Sequence, residues 1–135
     1  MSHLLDTNTI VDHLRRGPGS KVTAKLTSAP AGSVLICSVV VGELIYGAHH
    51  SGPAHSAANL ALIANLQKQF VSLPFDDRAA EEYGKLRDHL GRSGQLIGPN
   101  DLLIAGIALA NGLTLVTHNT IEFSRVPGLL LEDWL

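Results

Sequence analysis

The chain has 135 residues, 45% of them hydrophobic and 16% charged, and a formal net charge of -2. That length suits a single domain, residues 1–135, that buries a core without disulfides or a structural metal, and the charge excludes attachment to nucleic acid through a broad basic surface. Apolar runs such as Leu102 to Ala110 are too short to span a membrane, the N-terminus has no basic-then-apolar leader, and the lone Cys37 has no disulfide partner, so a cytoplasmic protein with no membrane partner is expected.

Strand-sized apolar runs alternate with segments of helical period, the pattern of an α/β chain with a parallel sheet covered by helices. Leu4-Leu5 reads as a first strand and Thr7 to Arg15 as a helix, ended by Gly17-Pro18-Gly19-Ser20. A helix from Lys21 to Thr27 leads through Pro30-Ala31-Gly32 to the strand Ser33 to Cys37. Ser38 is placed to cap the next helix, Val39 to His50. Ala57 to Phe70 is a long helix, followed by the strand Val71 to Leu73, and Asp77 starts a helix over Arg78 to Leu90. Pro99 opens the helix through Ala110, Asn111-Gly112 ends it, Leu113 to Thr117 is the clearest strand, and Leu129 to Leu131 is a final edge strand.

Three carboxylates stand where an apolar segment ought not to have one. Asp6 closes the first strand, Glu43 interrupts Val39-Val40-Val41 and Leu44-Ile45, and Asp101 precedes Leu102-Leu103-Ile104-Ala105. No Lys or Arg lies within one helical turn of Glu43 or Asp101, so neither has a local counter-charge. In an open parallel sheet, strand ends and the starts of antiparallel helices share one rim, and there the three acids and Asn119 can converge. A hard divalent cation, most naturally Mg2+, is the simplest relief for such a cluster. Taken singly, Asp6 reads equally well as a helix cap and Asp101 as a complement to a helix N-terminus. The pairs Arg15-Arg16 and Arg87 with Arg92 offer local basic contacts, His49, His50 and His55 form a solvated turn, and His118 adjoins the converging acids.

Leu4-Leu5-Asp6-Thr7-Asn8, Val41-Gly42-Glu43-Leu44-Ile45-Tyr46-Gly47, Ile97-Gly98-Pro99-Asn100-Asp101 and Leu115-Val116-Thr117-His118-Asn119-Thr120-Ile121-Glu122-Phe123 follow one another along the chain. In that order they resemble the acidic motifs of PIN-domain ribonucleases, and most closely those of VapC-type toxins of toxin-antitoxin systems. The resemblance implies a three-layer α/β/α sandwich with a central parallel sheet, a homodimer, and Mg2+-dependent endoribonuclease activity, with Mn2+ as a substitute. It also implies hydrolysis of RNA to a 5'-phosphate and a 3'-hydroxyl, and inhibition by a cognate VapB-type antitoxin.

Residue by residue, Asp6, Glu43 and Asp101 match the family's acidic positions as metal and catalytic residues, with Glu43 either a ligand or the base that orients the water. Asn119 stands where many members carry aspartate, and Glu122 is the alternative source of that carboxylate. Thr7, Asn8, Ser38 and Thr117 are expected to hold the acids by hydrogen bonds. Single-stranded or loop RNA is the expected substrate. Two other readings stay open: a phosphoacceptor signalling domain, which the missing lysine in Leu129 to Leu135 disfavours, and a binding module that has lost catalysis, which Asn119 favours.

Overall fold

The computed structural model describes residues 2–135. Strand β1 (His3–Leu5) leads into α1 (Thr7–Arg16), a single 3-10 turn at Gly17–Gly19 and α2 (Lys21–Ser28), which Ser20 caps by accepting from the Thr23 amide at 3.2 Å. Strand β2 (Val34–Cys37) runs without a linker into α3 (Ser38–His50), followed by α4 (Ser56–Gln69) and the two-residue β3 (Ser72–Leu73). Helix α5 (Asp77–Arg92) is capped by Asp76, whose Oδ1 accepts from the Ala79 amide at 3.0 Å. Helix α6 (Pro99–Ala110), β4 (Thr114–Val116), the one-turn α7 (Thr120–Phe123) and β5 (Leu131–Glu132) complete the chain.

The five strands are all parallel, in the order β3-β2-β1-β4-β5. The chain thus builds outward from β1 through β2 to β3, then crosses to the other side of β1 for β4 and β5. Right-handed connections in these two directions put helices on both faces, which gives the expected three-layer α/β/α sandwich. The reversal falls between β1 and β4, where Leu4 pairs with Leu115 and Leu5 with Val116. Residues emerging from the carboxyl ends of those two strands face a common crevice.

Central strands covered on both faces must be apolar throughout, and Leu4, Leu5, Leu115 and Val116 are fully buried. They join Ile36, Val40, Ile104 and Ile107 in one continuous core. Cys37 belongs to that core, and burial pushes its thiol up to about 11, as fits an inert strand residue. Helices α5 and α6 approach closely at Gly106, where a Cβ would lie 2.9 Å from the Ala79 carbonyl oxygen and 3.2 Å from Tyr83 Cβ. Among the described residues, no helix is long and apolar enough to cross a membrane.

Two local expectations are corrected. Ser38 does not cap α3: it is the first helical residue, exposed, and Cys37 occupies the cap position with no side-chain bond. The last strand is Leu131–Glu132 rather than Leu129 to Leu131, because the chain is still leaving a left-handed turn at Gly128, and Leu130 remains 61% exposed. Glu132 is strand despite its charge, since His3 Nε2 lies 3.0 Å from one of its oxygens and Trp134 Nε1 donates to the other at 2.9 Å. These bonds hold its carboxyl below the ordinary value.

Candidate active site

Asp6 both caps α1 and lines the acidic cleft. It follows β1 directly, and its amide extends the sheet by donating to the Val116 carbonyl at 2.9 Å. One carboxylate oxygen accepts from the Thr7 amide at 2.8 Å at the start of α1, and the other accepts from Thr117 Oγ1 at 2.7 Å across the β1–β4 crevice. Only 6% of the residue remains exposed. Burial raises its pKa, the bonds from Thr117 and Thr7 pull it down, and the Glu43 charge pushes it up again.

Glu43 reaches the same crevice from the second turn of α3, where Thr7 Oγ1 donates to Oε1 at 2.8 Å. Asp101 comes from the first turn of α6, whose start lies on the carboxyl rim of the sheet. Gly98 leaves room for its carboxylate, since a Cβ there would meet Oδ2 at 3.3 Å. A position at a helix N-terminus should lower a carboxyl pKa, yet Asp101 is pushed up to about 7. Burial contributes most, followed by the charge of Asp6, a hydrogen bond and charge from Glu122, and the charge of Glu43. Desolvation and repulsion from three acids therefore outweigh the helix end.

Asp6, Glu43 and Asp101 line one cleft of about 400 Å3, together with Thr7, Asn8, His118 and Asn119. Asn119 hangs from the end of β4, its amide donating to Thr117 Oγ1 at 3.0 Å. Its side-chain Nδ2 donates to Glu122 Oε2 at 2.8 Å and lies 3.5 Å from Asp101 Oδ2, the outer limit of a hydrogen bond. Glu122 stands outside the cleft lining, where it accepts from Asn119 and also hydrogen-bonds Asp101 directly. At the rim, His118 Nδ1 lies 3.0 Å from Asp133 Oδ2, a pairing absent from the sequence reading because it joins two segments 15 residues apart.

Of the four groups expected to hold the acids, Thr7 and Thr117 do so. Asn8 and Ser38 are exposed and bond none of the three acids. Among the basic side chains, Arg16 lies 3.5 Å from Asp12, Arg92 pairs with Asp88 at 3.0 Å, and Arg87 donates to the Tyr83 hydroxyl. Arg15 alone of these borders the acids, in a groove of about 510 Å3 between α1, α3 and α4 that shares Thr7 and Glu43 with the cleft. His49, His50 and His55 are exposed.

The cleft lining offers three carboxylates, the amides of Asn8 and Asn119 and, already paired with Asp133 at the rim, the His118 imidazole; this oxygen-rich set without a thiolate suits a hard divalent cation. Among the described residues no three His, Cys, Asp or Glu side chains stand close enough together to hold a metal ion between them. A cation of the Mg2+ kind fits such an open arrangement, because it keeps several waters and takes only one or two carboxylates directly.

Comparison with known proteins agrees with this geometry. The PIN domain family model matches residues 3–129. The chain belongs to the PIN-domain family. A relative from Shigella flexneri, "tRNA(fMet)-specific endonuclease VapC", is 39% identical over 134 residues, covering 99% of this chain and 98% of its own. "Ribonuclease VapC2" of Rickettsia felis is 36% identical over 134 residues, with coverage of 99% and 98%. Among solved structures, DNA-bound VapBC from Salmonella typhimurium matches with a TM-score of 0.90 at 34% identity, over 100% of this chain and 99% of that one. The PIN-domain assignment, in its VapC branch, removes the phosphoacceptor reading, and β5 indeed offers no lysine beside the acids.

Proposed function

We propose that this PIN domain is the toxin of a VapBC-type pair: a cytoplasmic, homodimeric, Mg2+-dependent endoribonuclease that hydrolyses phosphodiester bonds in single-stranded or loop RNA. The observation that carries the reading is the convergence of Asp6, Glu43 and Asp101 from three distant segments on one cleft, with the Asp101 pKa pushed up to about 7 by burial and by the neighbouring acids. Asp6 and Asp101 would hold the ion, with Mn2+ able to substitute, and Glu43 would bind it or orient the attacking water. When bound, such an ion acidifies water and offsets negative charge as it builds on the phosphate.

The chain's own groups divide the remaining work. Thr117 and the Thr7 amide fix the orientation of Asp6, and the Thr7 hydroxyl fixes Glu43. Asn119 is bonded to Glu122 and aims its amide at Asp101, which supports reading the two as a pair that serves the family's fourth acidic position. Asp6 and Thr117 are themselves buried, which limits water at that end of the cleft.

A VapB-type antitoxin is the proposed inhibitor, a partner suited to the groove between α1, α3 and α4. That groove presents Val11, Leu14, Leu44 and Leu62 and opens onto Glu43. An amphipathic helix laid in it could send an arginine to the acids. The test is cleavage of tRNA(fMet), the substrate in the name of the Shigella relative, and of a mixed RNA pool. The protein should cut with Mg2+ or Mn2+, stop in EDTA, and lose cleavage in Asp101→Asn. Undiminished cutting by that variant would remove the assignment.

A further inference from the structure

A second cleft, of about 560 Å3, opens beside the acids and shares Thr7 and Glu43 with them. One face of α3 forms most of its wall through Ser38, Val39, Gly42 and Tyr46, and Asn100 from the first turn of α6 stands opposite. Among the described residues, Tyr46 is the only large aromatic side chain left exposed, at 69%. Single exposed rings are ordinary on a protein surface, and this one is set apart by its place in a cleft that adjoins the acids.

The ring is already ordered. His50, one turn further along α3, stacks on Tyr46 with centroids 5.5 Å apart and planes 12° from parallel, and Tyr46 lines the cleft while His50 does not. One turn before Tyr46, Gly42 adds no side chain, and a Cβ built there meets nothing within 4 Å. Tyr46 and Gly42 together therefore leave a flat slot with an aromatic wall. No Lys or Arg lines it, so it is not shaped to hold a phosphate. A flat, uncharged ring attached to a phosphate in the neighbouring acid cleft matches both halves of the site.

We propose that this second cleft is a nucleotide subsite, in which a base next to the scissile phosphate stacks on Tyr46 above Gly42 while Asn100 faces the base edge. The proposal rests on the RNA-cleaving reading above and adds to it the residues that position the strand. Stacking on an aromatic ring tolerates any base, and an asparagine amide offers both a donor and an acceptor to its edge.

The experiment uses fluorescein-labelled octariboadenylate and an abasic octamer of the same backbone, with binding followed by anisotropy in Ca2+ for the parent, Tyr46→Ala, Tyr46→Phe and Gly42→Leu. The parent should prefer the base-bearing octamer by roughly tenfold or more, as base–aromatic stacking allows. Tyr46→Phe should keep that preference, and Tyr46→Ala and Gly42→Leu should lose it while binding the abasic octamer as the parent does. Equal binding of both octamers by the parent, or a preference that survives in Tyr46→Ala, would overturn the inference. So would loss of preference that coincides with dissociation of a dimer in sedimentation, which would make Tyr46 an interface residue. A parent that cuts RNA without preferring bases refutes the subsite alone. A parent that prefers bases yet never cuts RNA with Mg2+ or Mn2+ refutes the nuclease reading alone.

Discussion

Asp101→Asn should make the metal-free protein more stable, and only above a definite pH. In the folded chain Asp101 keeps its proton up to about 7, against 3.8 for the unperturbed group. Between these values the folded state binds more protons than the unfolded one, so stability falls as pH rises through the window and stays low above it. A shift of this size converts to a ceiling of about 4 kcal/mol at one unit per 1.36 kcal/mol. Asp101 is only half-buried, so solvent screening reduces the expected gain to roughly 1–2 kcal/mol at pH 8. The substitution keeps the side-chain shape, and its new amide can donate to Glu122. In a domain of this size the gain corresponds to a Tm rise on the order of 3–7 °C. Urea and thermal melts in EDTA, read by the fluorescence of buried Trp134, provide the assay. The difference between variant and parent should be near zero at pH 4, grow towards pH 7 and then level off. Mg2+ at ten times its dissociation constant should stabilise the parent by about 1.4 kcal/mol and erase the gap. A variant less stable than the parent by more than about 2 kcal/mol at pH 8, or a gap that ignores pH, would refute the electrostatic reasoning.

Asp6→Asn should not share that benefit, because one of its oxygens would become an amide facing the Thr117 hydroxyl and strand a buried donor. A loss of about 1 kcal/mol in the same melts is expected, and a gain equal to that of Asp101→Asn would contradict it. Asn119→Ala and Glu122→Gln should each slow single-turnover cleavage by roughly 10- to 100-fold. The double variant should be slower than either single one, since Glu122 bonds both Asn119 and Asp101, and a double variant no worse than Asn119→Ala would show that Glu122 acts only through that amide. Gly106→Ala should destabilise by about 1–3 kcal/mol although alanine favours helix, because the added methyl meets the Ala79 carbonyl oxygen at 2.9 Å. A neutral or stabilising result in urea melts would show that α5 and α6 can separate at no cost.

How much of this was legible in the chain depended on how far each feature reaches. The run Leu113 to Thr117 announced β4 because a strand buried on both faces needs an unbroken apolar segment, and the ladder covers Thr114–Val116 within it. The three acids were legible because each breaks an apolar pattern, and Asp6 proved to satisfy the capping reading and the clustered reading together. Ser38 misled because β2 passes into α3 without a linker, so a residue with the chemistry of a cap became a helical residue facing solvent. The three leucines from Leu129 misled because hydropathy does not register the turn at Gly128, after which the Leu130 carbonyl makes the first bond to β4 and Leu131 is the first residue in register. The pairing of His118 with Asp133 and the slot between Tyr46 and Asn100 join segments whose distance only the folded chain defines.

The most direct test of the shared-acid account is calorimetric titration of Mn2+ into the purified protein and into Asp6→Asn, Glu43→Gln and Asp101→Asn at pH 7.5, with folding of each checked by circular dichroism. The account predicts saturable binding to the parent, no measurable binding to Asp6→Asn or Asp101→Asn, and weakened binding to Glu43→Gln, since the first two acids bear on the ion directly. Parent-like binding by both aspartate variants would contradict it, and would leave the three carboxylates as caps and hydrogen-bond partners that share a cleft without sharing a metal.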